Sequence, residues 1–247
     1  MSPAMHFHLT SVDTYFHCIG SADRDLLQEV GINLGREFRP PTEDEEGTFF
    51  GDEETEEPAE WTFEDVESDS ARDIITQMIM TDLPLDLADE EAYAVQDFFA
   101  SMVRRSAQVH TIEPDDLRAD LEEYFDSDVA DEVRELIILG MEEEDFFEVV
   151  DAVREAGGSN DLCVRIQMIC FGRLPEADEP TFSDLEEEAY TPRFAYLTAR
   201  EMAAVADEMT QLAPGLAEEH GPIVFFLAGI FTHGAAEGRD LVVTIDE

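Results

Sequence analysis

His6 and His8 stand two residues apart in Met5-His6-Phe7-His8-Leu9-Thr10, and on an extended chain that spacing turns both imidazoles to one face. Together with His17, which precedes Cys18, they form an N-terminal set able to ligate a transition metal through neutral imidazole nitrogen. No third ligand at a motif spacing accompanies the pair, so the competing reading is a strand whose exposed face carries two polar rings. His110, His220 and His233 stand singly. Each has the chemistry of a general base, but a lone histidine is more often structural. A small-molecule or metal-dependent enzyme using His6, His8 and His17 is therefore one functional class to be weighed.

Other catalytic chemistries find little footing. With 61 Asp and Glu among 247 residues, paired carboxylates occur at every spacing by chance and carry no signal. Asp126, Asp128 and Asp131 outline the start of a calcium loop, yet Asp131 and Ile137 occupy the positions that need Gly and Glu. There is no Gly-rich phosphate loop, GxSxG elbow, HExxH pair or dinucleotide fingerprint. All 14 basic residues are Arg, which excludes Schiff-base and Walker-type lysine chemistry. The expectation is a protein without a cofactor, leaning away from enzymatic function.

The charge balance points instead to milieu and partners. A formal net charge of -47 repels itself strongly where the Debye length is about 8 to 10 Å, and far less at molar salt, where it is about 3 Å. Absence of Lys also shortens the aliphatic stems at the surface, leaving hydrated carboxylate in contact with solvent. The chain reads as halophilic. The rival is that the carboxylates imitate a phosphate array and occupy the basic groove of a partner. Direct nucleic-acid binding is excluded, because the Arg residues are scattered apart from Arg104-Arg105 and form no basic stripe.

One segment concentrates the acidity. Residues 43–69 hold 14 acidic side chains and no Arg, with Phe49, Phe50, Trp61, Phe63 and Val66 embedded among them. This is an expected loop or insertion. Its aromatics Phe49, Phe50, Trp61 and Phe63 either tack it to its own domain or form a binding motif for a protein partner with a basic surface.

Ample core material exists outside that segment, with 44% hydrophobic residues and 17 Phe. Met1 to Thr10 lacks the basic-then-apolar pattern of a signal peptide, and the longest apolar run, Ile223 to Ile230, is too short to span a bilayer. Cys18, Cys163 and Cys170 show no CxxC spacing and read as small core residues, so a cytoplasmic location without membrane attachment is expected.

These residues need elements to position them. Met5 to Thr10 alternates as a strand, and Leu241 to Ile245 is a β-branched strand at the other end. Between them, apolar residues recur at helical spacing. Ser21 is placed to cap a helix through Leu26, Leu27, Val30 and Leu34, and Ile74 to Ile79 and Tyr93 to Val103 form further stripes. Additional helices are expected over 110–158, through Leu117, Leu121 and Phe125, then Val133 to Leu139, then Phe146 to Val153. Leu162 to Phe171 is apolar enough for burial, but its period does not choose between helix and strand. Thr198-Ala199-Arg200-Glu201 is a capping box, and a helix centred on Ile223 to Thr232 ends before Gly238. The expectation is a single α+β domain over 1–247, mostly helical, with a small antiparallel sheet that pairs the N- and C-terminal strands.

Three blocks occur in a familiar order: Ile19-Gly20-Ser21-Ala22-Asp23-Arg24-Asp25-Leu26-Leu27 after the first strand, Ser70 to Arg105, and Phe194-Ala195-Tyr196-Leu197-Thr198 through Gly238-Arg239-Asp240-Leu241-Val242. In this order the chain resembles an uncharacterised bacterial family of unknown function and, more distantly, the YfbM-like proteins. The resemblance covers much of the chain but supplies no catalytic residue. It implies binding and inhibition of immunity or regulatory type. The acidic segment after residue 42 and the helices of 110–158 depart from that pattern.

Overall fold

Strands at the two ends of a chain leave their backbone amides unsatisfied unless they find partners, and here they find each other. The computed structural model describes residues 4–31, 68–84, 86–106, 110–111, 143–182, 193–216 and 220–246. Strand β1 (Ala4–Thr10) runs antiparallel to β4 (Asp240–Asp246), with Ala4 opposite Asp246 and Thr10 opposite Asp240. Two shorter strands, β2 (His110–Thr111) and β3 (Phe194–Leu197), complete a four-stranded sheet of order β2-β1-β4-β3. The architecture is α+β and mostly helical, and its antiparallel sheet pairs the two terminal strands.

The strand period of two fixes what each face carries. Phe7 and Leu9 share one face with Val243 and Leu241 opposite them and with Ala195 and Leu197 of β3. That face is closed by α7 (Ala199–Leu212) and α8 (Gly221–Glu237). Phe226 meets Phe7 edge-on at 5.8 Å, and Gly234 lies where a Cβ would come within 3.0 Å of Leu9 and 2.7 Å of Met202. Glycine here is what lets α8 approach both β1 and α7. α8 is buried over most of Gly221 to Phe231, as expected of a helix apolar around its circumference.

The opposite face carries His6, His8, Val242, Thr244, Phe194 and Tyr196. Phe16 at the end of α1 (Asp13–Phe16) stacks edge-on against Tyr196 at 4.9 Å and against Phe99 at 5.3 Å. Phe99 belongs to α4 (Asp89–Arg105) and lies 5.5 Å from Phe194. Helices therefore cover both faces. Each fully buried Phe contributes on the order of 1.5 to 3 kcal/mol.

The remaining elements follow local chemistry. α2 (Arg24–Glu29) is capped by Asp23, whose carboxylate accepts from the amides of Asp25 and Leu26. Ser21, the expected cap, instead donates its hydroxyl to the Cys18 carbonyl, because the chain turns at Gly20 and Ala22 before the helix begins. α3 (Ser68–Met80) buries Ile74, Ile75, Met78 and Ile79. Its start at Ser68 makes the last two residues of the expected acidic loop helical, and the rest of 43–69 lies outside the described residues. Of the helices expected over 110–158, α5 (Glu143–Glu155) is present, residues 110–111 are instead strand β2 paired with β1, and the stretch 112–142 lies outside the described residues. The undecided segment 162–171 is helical as far as Cys170: α6 (Asn160–Cys170) is capped by Ser159, whose hydroxyl accepts from the Leu162 amide.

Candidate functional site

The expected metal site divides. His6 and His8 do lie on one face, their rings 6.3 Å apart and nearly parallel. That face is not an exposed one. His8 is buried, and its Nε2 shares a 3.0 Å hydrogen bond with the Thr244 hydroxyl of β4, diagonally across the sheet. His17 sits exposed after α1, and no group of three His, Cys, Asp or Glu side chains able to hold a metal ion occurs among the described residues. His17 is thus not gathered with the pair into a metal-holding group. Phe49, Phe50, Trp61 and Phe63 lie outside the described residues.

The structure draws together a different set of charged residues, at the open side of β3. Thr198 follows β3 and caps α7, its hydroxyl accepting from the Glu201 amide at 3.3 Å while Glu201 returns a carboxylate to the Thr198 amide at 2.9 Å. The same Glu201 Oε2 accepts from Arg173 Nη1 at 2.7 Å, and Oε1 pairs with Arg165 Nη1 at 3.0 Å. Arg165 comes from α6, where it also reaches Asp161 one turn back at 3.3 Å. Arg173 comes from the loop after α6. One carboxylate thereby joins α6, the following loop and the start of α7.

Arg173 is the most enclosed of the three, its side chain only 5% exposed against 16% for Glu201 and 18% for Arg165. Its Nε donates to the Ala177 carbonyl at 2.7 Å, closing its own loop around itself. The guanidinium lies 4.4 Å above the Tyr196 ring, and the Tyr196 hydroxyl accepts from the Glu176 amide at 3.0 Å. Backbone bonds from Thr181 to Gly172 and from Phe182 to Phe171 bring the loop's ends together. Residues 171–182 therefore form a compact Ω-like strap whose centre is a side chain of its own.

A second arginine anchors the far end of β3. Arg193 Nε donates to the Tyr93 hydroxyl at 2.5 Å, and its backbone amide donates to Gln96 Oε1 at 3.1 Å. Gln96 is fully buried on α4, and Gly172 packs so closely against it that a Cβ there would lie 2.2 Å from Nε2. That contact, with φ at +73°, explains glycine at the first turn of the strap.

Electrostatics follow from these partners. Burial alone would raise the Glu201 pKa, but hydrogen bonds from Arg173 and Thr198, with the Arg173 charge, hold it below the usual carboxylate value. Burial pushes the Tyr196 phenol up, with the Arg173 charge opposing. Both oxygens of Glu201 are already engaged, and both arginines are matched to it. The arrangement holds segments in place, and it offers no unengaged base to move a proton.

No family model, curated protein or solved structure matches the chain. Glu201 was legible from its capping box. Arg165 and Arg173 were not, since a single Arg inside an apolar helix and another in Gly172-Arg173-Leu174-Pro175 carry no motif. Among the described residues, no helix is long and apolar enough to cross a membrane.

Proposed function

We propose that this is a salt-adapted cytoplasmic protein that acts without catalysis, as a binding or inhibitory module presenting carboxylates to a partner protein with a basic surface. Kinship with the YfbM-like proteins is part of the same proposal. The observation that supports it is the division of charge. Arg165, Arg173 and Arg193 are drawn inward to Glu201, Tyr93 and backbone carbonyls, whereas Asp86, Asp89 and Glu90 are exposed and Asp23, Asp25 and Asp82 are exposed around one corner. That corner is assembled by backbone bonds from Gly20 to Met78 and from Ala22 to Ile79, which seat the turn before α2 on the end of α3. Three buried cysteines that form no disulfide favour a reducing compartment.

The test is a titration with a small, strongly basic protein across KCl concentrations, with folding followed in parallel by circular dichroism. Complex formation at salt concentrations where the chain is folded, weakening as salt rises but still saturable, is the expected result. A chain that folds only at molar salt and binds nothing there would reduce the acidity to solvent adaptation and remove the binding reading.

A further inference from the structure

The inner edge of β3 is set by its pairing with β4. The Ile245 amide donates to the Arg193 carbonyl at 3.2 Å, and Ala195 and Leu197 stand opposite Val243 and Leu241. In an antiparallel ladder the alternate residues, Phe194 and Tyr196, then turn their carbonyls away from β4. An outward row of that kind on an edge strand is a template for another strand. Here both carbonyls are occupied by one residue. The Arg173 backbone amide donates to the Phe194 carbonyl at 3.2 Å, and Arg173 Nη1 reaches the Tyr196 carbonyl at 3.4 Å.

We propose that the 171–182 strap is an edge guard, with Arg173 standing where a fifth strand would pair and Glu201 latching it there. The device blocks β3-to-β3 pairing with a second copy of this chain. Its parts converge on that one role, for Nε closes the strap on Ala177, Nη1 meets Glu201 and the strand, and Tyr196 supports the guanidinium from below. A natural guard matters more in a salt-adapted chain. At molar salt the Debye length is about 3 Å, so the net charge that otherwise keeps copies apart is screened and sheet edges must be protected by structure. A second copy is the occupant the geometry favours, because antiparallel pairing of β3 with itself continues the sheet about a two-fold axis.

Arg165→Ala supplies the control, since it strips Glu201 of one arginine without touching the β3 edge. Wild type, Arg165→Ala and Arg173→Ala are compared by light scattering and by size-exclusion chromatography in molar KCl, with circular dichroism to confirm folding. The expected result is a roughly twofold rise in mass for Arg173→Ala alone. Should Arg173→Ala not fold, Arg173→Gln replaces it: both variants keep the backbone donor to Phe194 and lose the guanidinium over the Tyr196 carbonyl, and Gln retains more of the buried volume. Equal masses for all three folded proteins would overturn the proposal. So would association of both variants alike, which would trace the effect to lost stability and not to an uncovered edge.

Discussion

Glu201→Ala is the most informative single substitution. It removes the acceptor that Arg173 and Arg165 share, and it takes away the carboxylate that returns to the Thr198 amide. Arg173, 5% exposed, is left without its counter-charge, and breaking one side of a buried pair costs about 3 to 5 kcal/mol. Loss of the capping box adds on the order of 1 kcal/mol. Arg165 reduces the total, because it keeps Asp161 and stands nearer to solvent. Urea unfolding at fixed KCl is the appropriate assay, since guanidinium would change ionic strength along with denaturant. The expected loss of unfolding free energy is about 3 to 5 kcal/mol, with little change in m-value. The pH dependence has a definite sign. The folded Glu201 carboxyl lies below its unfolded value, so its stabilisation is present above the unfolded value near 4.3 and is lost as pH falls through the folded one. The gap between wild type and Glu201→Gln should therefore close on acidification. A loss below about 1 kcal/mol for Glu201→Ala, or a gap that widens in acid, would refute a buried network in which one carboxylate holds two arginines.

Asp240 accepts from the Val12 amide at 3.0 Å and from the Ala199 amide at 2.9 Å, so one carboxylate serves the starts of both α1 and α7. Asp240→Ala should cost about 1.5 to 3 kcal/mol and lower Tm by several degrees, with Asp240→Asn losing less. Gly172→Ala places a methyl into Gln96 and forces φ +73° on a residue with a Cβ, so a loss of about 2 to 4 kcal/mol is expected in urea. Combining it with Gln96→Ala should cost less than the sum, because the second change opens the space the first one needs. Burial, with Asp23 nearby, pushes the Cys18 thiol up from 9.0 to about 12. Its reaction with an aromatic disulfide reagent should be much slower in the folded chain than in urea, because the raised pKa lowers the thiolate fraction and burial denies the reagent access, and equal rates in the two states would refute the placement.

What could be read from the sequence was whatever is local. β1 and β4 announce themselves by alternation and by β-branching, α7 by Thr198 and Glu201, and the end of α8 by Gly238, whose φ is +64°. β3 offered no such sign. Phe194-Ala195-Tyr196-Leu197 has no polar residue to alternate with, since helices close both faces of the sheet and all four side chains are buried. The same two-sided covering misdirected the reading of His6 and His8, for a strand bearing histidines ordinarily looks half-exposed. Ser21 was displaced as a cap by Asp23, two residues on, because the turn at Gly20 to Ala22 engages its hydroxyl first. Arg173 was least legible of all. Its partners stand 4, 23 and 28 residues away, and only the fold brings them together.

The use of Arg as the sole cation has two physical sides. At the surface, Arg154 pairs with Asp151, Arg105 with Glu29 at 3.5 Å and Arg239 with Glu237 at 3.3 Å. Exposed pairs of this kind are worth about 0 to 1 kcal/mol and are screened further by molar salt. In the interior, Arg173 distributes its donors among Glu201, Ala177 and Tyr196 while its planar face rests on an aromatic ring. A lysine ammonium at that position has neither the fork nor the stacking face. Salt therefore removes little attraction from this fold, because the pairs it screens contribute little and the network that contributes most is enclosed. It removes much more repulsion, since the net charge of -47 is overwhelmingly unpaired carboxylate. The proposed salt adaptation therefore predicts stability that rises with ionic strength, with its origin in the solvated surface rather than in the buried arginines, and a urea midpoint that does not increase between low and molar KCl would refute it.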